Sequence, residues 1–99
     1  MTKFQIQCVE QSRKLLKEYD IEIEFKEHLC REDPGLLTQE NDVYLKGSFE
    51  RGGHVFKLYI YNDEAGFFLD EGWKILESQD YEDSEELIRK YVEVLRSHL

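Results

Sequence analysis

Ninety-nine residues, 40% of them hydrophobic and including six Tyr, six Phe and one Trp, suffice for one core and are too few for two. That composition excludes a disordered chain, which is poor in aromatic residues, and no apolar run approaches the ~20 residues of a membrane span. A net charge of −9 argues against nucleic-acid binding, where Lys and Arg must neutralise phosphates.

A single globular domain over 1–99 is therefore expected. The opening MTKFQIQCVEQ is interrupted by Lys3, Gln5, Gln7 and Glu10, so it forms no signal-peptide core, and the expected location is cytoplasmic. Cys8 and Cys30 have neither CxxC nor zinc spacing, and read as thiols rather than a disulfide.

Thr2 with Gln5 has the pattern of a capping box. Phe4, Cys8, Leu15 and Tyr19, with Val9 and Leu16 beside them, predict an amphipathic helix from about Lys3 to Glu18. Gln11, Ser12, Arg13 and Lys14 break its stripe. Ile21, Ile23 and Phe25 then alternate with Glu22, Glu24 and Lys26, which predicts a strand ending near His28. From Leu29 to Asp42 the pattern is aperiodic and holds Pro34-Gly35, so a long loop is expected, with a helical turn near Leu36 and Leu37.

Val43–Arg51 and His54–Asn62 flank Gly52-Gly53, two residues able to take positive φ in a hairpin turn. If Arg51 faces His54, then Phe49 faces Phe56, Gly47 faces Leu58 and Leu45 faces Ile60, all on one side. Tyr44, Lys46, Lys57, Tyr59 and Tyr61 fall on the other. A slip of one residue would scramble both faces.

Asn62 to Gly66 supplies the next turn, with Gly66 in its left-handed position, and Phe67-Phe68-Leu69 opens another strand. Asp70-Glu71-Gly72 either reverses the chain into a short strand over Trp73–Leu76 or bulges one longer strand. Asp83 caps a final helix whose stripe is Leu87, Ile88, Tyr91, Val92, Leu95 and Leu99. The expected fold class is α+β, in the order α-β-β-β-β-α. The antiparallel sheet has four strands, or five if the chain reverses at Asp70, and both helices cover one of its faces.

No chemical signature emerges. His28, Cys30 and His54 lack a metal-site spacing. Asp80, Glu82, Ser84 and Glu86 alternate like calcium ligands, but Glu85 stands where an EF-hand needs Gly and Tyr91 where it needs Glu. Asp70 and Glu71 are adjacent, so on a strand they point apart and make no carboxylate dyad. No cofactor, metal or catalytic residue is expected.

Charge segregation is the functional clue. Residues 63–86 hold ten acids against Lys74 alone, while the remainder balances twelve acids with twelve bases. The leading expectation is a small non-catalytic binding protein of the inhibitor, antitoxin or immunity kind. It would engage a basic protein through Asp70, Glu71, Asp80, Glu82 and Asp83. One alternative is a module that self-associates through the sheet face bearing Tyr44, Tyr59 and Tyr61. Another is a small enzyme with an unrecognised site near His54 and the 29–42 loop.

Overall fold

A computed structural model describes residues 1–29, 43–62, 64–70, 72–77 and 83–99, with only the backbone of 73–77. Helix α1 (Lys3–Lys17) opens on the predicted capping box, in which Gln5 N–H donates to Thr2 Oγ1 and Thr2 N–H to Gln5 Oε1. It closes with Ile21 N–H on the Leu16 carbonyl and Asp20 N–H on the Lys17 carbonyl. Asp20 occupies the left-handed region at φ 58°, as the residue after a helix commonly does. Asp tolerates that conformation better than most side chains.

The sheet is a five-stranded antiparallel meander in sequence order: β1 (Lys26–Leu29), β2 (Val43–Arg51), β3 (His54–Ile60), β4 (Glu64–Leu69) and β5 (Gly72–Glu77). The β2–β3 register is the predicted one, Arg51 opposite His54 through Leu45 opposite Ile60. Gly52 and Gly53 both have positive φ, 60° and 80°. At Asp70 the chain reverses, so β4 and β5 form a hairpin with Leu69 opposite Gly72. Gly66 lies inside β4, opposite Tyr59, and takes no left-handed turn position.

The first strand is shorter than its alternation implies. Ile23 is buried while Glu22 and Glu24 are exposed, as expected of a one-sided extended segment. Ladder pairing, however, begins only at Lys26, opposite Lys46. The reason lies at Gly47, where a Cβ would stand 2.9 Å from Ile23 Cδ1 and 3.0 Å from the Glu24 carbonyl oxygen. Residues 23–24 pass over the core side of β2 rather than beside it. The predicted 29–42 loop, with its helical turn, lies outside the described residues except for Leu29, which belongs to β1.

Helix α2 (Ser84–Ser97) starts on Asp83, whose Oδ1 accepts the Glu86 N–H at 2.8 Å. Both helices lie on one face of the sheet, and the core joins Cys8, Leu15 and Leu16 of α1 and Leu87, Tyr91 and Leu95 of α2 to sheet residues such as Phe56, Leu58 and Phe67. The helices run in the same direction: Gln7 neighbours Glu85, Ser12 bonds Tyr91, and Glu18 reaches Arg96 at 3.4 Å. Where they begin, buried Gln5 donates its amide to the Val43 carbonyl at 2.7 Å. Where they end, Arg51 stacks over Tyr19 at 4.7 Å and donates to the Leu99 carbonyl. The sheet thus has a starting end, marked by Val43 and both helix N-termini, and a far end, marked by Arg51 and the two hairpin turns.

Candidate binding surfaces

Asp70 sits at the far end, on the β4–β5 turn, in the left-handed region at φ 55°. Three bonds hold it there. Its N–H donates to the Val55 carbonyl, Oδ1 accepts the Val55 N–H at 3.1 Å, and Oδ2 lies 2.6 Å from His54 Nδ1. The carboxylate therefore ties the two hairpin turns together. The His54 contact first, then the Val55 N–H, hold its pKa below the ordinary carboxylate value. A depressed folded-state pKa contributes stability above the unfolded value, and that contribution disappears as pH falls through the folded value. Below about pH 4, wild type should therefore lose its advantage over Asp70→Asn, whereas at neutral pH it should be the more stable of the two. Urea midpoints measured from pH 7 to 2 check this, and parallel curves would contradict it.

Asp83, the second described acid of the expected patch, is the cap of α2 at the starting end. Asp70 and Asp83 therefore lie at opposite ends of a strand's length, and no single patch contains both. Glu71, Asp80 and Glu82 lie outside the described residues. Charge is nonetheless segregated on another plan. The described segments are close to neutral, since residues 30–42, 63, 71 and 78–82 contain eight acids against Arg31 alone, −7 of the total −9. Connections 30–42, 63 and 78–82 each leave and re-enter the described framework at the starting end.

At that end the framework itself is acidic. Glu64 stands opposite Glu77 in the β4–β5 register, and Asp83, Glu85 and Glu86 open α2. The three helix acids complement the helix dipole.

Comparison with family models, curated proteins and solved structures finds no match to this chain. The site must be read from its own chemistry.

On the face of the sheet away from the helices, five rings form a ladder. His28 stacks on Tyr44 at 5.2 Å, Tyr44 meets Tyr61 at 5.6 Å, Tyr61 stacks near Tyr59 at 6.3 Å, and Tyr59 meets Phe68 edge-on at 5.8 Å. Lys46 lies over the Tyr59 ring. The structure does bring Tyr44, Tyr59 and Tyr61 together. Tyr44 and Tyr61 are only 9% and 7% exposed, however, so Tyr59 is the one a partner could grip without rearrangement.

The third surface is a groove between α1 and α2, with no counterpart in the sequence reading. One stretch, of about 410 Å³, is lined by Gln7, Glu10, Gln11, Glu85, Ile88 and Arg89. The next, of about 200 Å³, is lined by Lys14, Glu18 and Arg96, and Gln11 and Val92 border both. Beneath it Ser12 Oγ donates to the Cys8 carbonyl at 2.7 Å and shares a 2.9 Å bond with the Tyr91 hydroxyl. Burial pushes the Cys8 thiol up to about 12 and raises Tyr91 as well, so neither ionises near neutral pH.

Among the described residues no three His, Cys, Asp or Glu side chains gather as metal ligands would. Nor is any described helix long and apolar enough to cross a membrane.

Proposed function

We propose that this chain is a non-catalytic binding protein that presents carboxylates at the starting end of its sheet to a basic protein partner. The observation that supports the reading is that carboxylate-bearing positions, Glu64 opposite Glu77 in the sheet and Asp83, Glu85 and Glu86 at the start of α2, fall at one end of the fold. The acidic connections anchored at the same end add long-range attraction, which accelerates encounter. The partner's Lys or Arg side chains would be occluded from whatever anion they otherwise meet.

The test is affinity capture from the native cell at low and high salt, using wild type, the triple variant Glu64→Lys/Glu85→Lys/Glu86→Lys and a far-surface control of equal charge, Glu18→Lys/Glu50→Lys/Glu93→Lys. A basic protein should be held by wild type and control but not by the triple variant. Each reversal should weaken association about tenfold, or about 1.4 kcal/mol, and high salt should release the partner. Equal loss in both variants would reduce the effect to net charge and remove the assigned site.

A further inference from the structure

We infer that the outer surface of α1 and α2 pairs with a second copy of this chain about a two-fold axis through the middle of the interhelical groove. Three features of that surface point to a copy of itself.

The first is its charge pattern. At the starting end lie Glu10, Asp83, Glu85 and Glu86, and at the far end Arg13, Lys14, Lys17 and Arg96, with Glu18 paired to Arg96. Lys3 and Arg89, the latter lining the groove itself, offset only part of the acids at their end. A two-fold axis across the groove lays each acidic end over the basic end of the other copy, so Glu10 and Glu85 approach Lys14 and Arg96 twice over. It also sets the two starting ends, where the framework acids Asp83, Glu85 and Glu86 lie, at opposite extremes, so like charges on the two copies repel least.

The second is the middle of the groove. Gln11 and Val92, which border both of its stretches, are uncharged, and buried Ile88 forms the floor. Ile6, one turn before Glu10, is 43% exposed. An uncharged centre with charged ends is the usual anatomy of an interface. The third is direction. Within one chain α1 and α2 are parallel, so their dipoles add, whereas the two-fold sets each helix antiparallel to those of its partner.

Helices about 22 Å long and about 9 Å apart cover roughly 400 Å² per copy. That is about half of a standard interface, so the dimer should be weak, with a dissociation constant no tighter than about 1 μM.

Sedimentation equilibrium of the full chain from micromolar to millimolar concentration tests the assignment. Wild type should show a reversible monomer–dimer equilibrium. Gln11 meets its own copy at the axis, so both Gln11→Glu and Gln11→Lys should raise the dissociation constant about tenfold or more. A different protein in the groove would instead favour one sign. Lys14→Glu and Glu85→Lys should each weaken the dimer, and the double variant should return to within about threefold of wild type. Far-ultraviolet circular dichroism confirms that each variant is folded. Strict monomers up to millimolar concentration would overturn the inference, leaving the groove to another partner. A dimer unaffected at Gln11 but broken by Tyr59→Asp would also overturn it, by moving the contact to the sheet face. Glu85 and Glu86 belong to both surfaces, so Glu64→Lys and Gln11→Lys separate the two readings: the first should weaken capture and leave the dimer unchanged, the second the reverse.

Discussion

Phe56→Ala should lower the unfolding free energy by about 3–5 kcal/mol, the largest effect expected of any single substitution described for this fold. The ring is 1% exposed, stacks on Phe49 at 4.6 Å and leans on Phe67 at 6.2 Å. These contacts join β2, β3 and β4, and the helices close over them. Removing the ring deletes its transfer free energy and leaves a cavity that three hydrogen-bonded strands cannot collapse to fill. Domains of this size have about 5–15 kcal/mol of stability, and each kcal/mol moves the midpoint by about 4–8 °C. A fall of about 15–30 °C is therefore expected in thermal unfolding. Val55→Ala, one residue earlier on the opposite face and 37% exposed, should stay within about 0.5 kcal/mol of wild type. Similar losses at both positions would mean that the core face has been misassigned.

The second large effect is expected at Gly47, and there its sign is informative. In a strand interior, alanine ordinarily improves on glycine by roughly 0.5–1 kcal/mol, because glycine loses more backbone freedom on folding. Here the new Cβ would meet Ile23 Cδ1 at 2.9 Å and the Glu24 carbonyl oxygen at 3.0 Å. The first neighbour is the tip of a flexible side chain, but the second is backbone. Gly47→Ala should therefore cost about 1–3 kcal/mol, as overpacking does. Ile23→Val removes the Cδ1 contact and leaves the Cγ1 and carbonyl contacts at 3.0 Å, so the double variant should lose less than the sum of the two single losses. Urea denaturation of the four proteins completes the cycle. A stabilising Gly47→Ala would show that the 23–24 crossing does not press on β2.

Much of this architecture was legible in the sequence, and the reasons can be traced residue by residue. The β2–β3 hairpin was fixed twice, by the turn chemistry of Gly52-Gly53 and by an apolar set that falls on one face in only one register. The helix starts at Thr2 and Asp83 were legible because capping is a short-range pattern. The length of β1 was not, because period-two alternation reports only that one side of an extended segment is buried. It cannot tell a strand beside β2 from a segment crossing above it, and only the missing Cβ of Gly47 marks the difference. Gly66 was misplaced for a related reason: glycine permits a left-handed turn but does not require one.

The site was harder to read. Asp70 and Asp83 are thirteen positions apart along the chain, and the intervening β5 strand carries the second of them to the opposite end of the sheet. Ser12 looks in sequence like a break in the α1 stripe, although it lies one turn after Cys8 and its hydroxyl is satisfied by Tyr91, 79 positions away. The groove of Gln7, Gln11, Ile88 and Val92 joins the first and last helices. No local pattern encodes a contact of that range.

That same pairing of first and last elements shapes how the protein is made. The meander can zip up strand by strand as it leaves the ribosome, since each strand's neighbour has already been synthesised. The apolar side bearing Phe56, Leu58 and Ile60 has no such luck: its cover is completed only by Leu87, Tyr91 and Leu95. At about 5–20 residues per second, translation from Ile60 to Ser97 takes on the order of several seconds. For that interval the nascent chain carries a half-shielded hydrophobic sheet, and the window for sticking to neighbours closes only with the final helix.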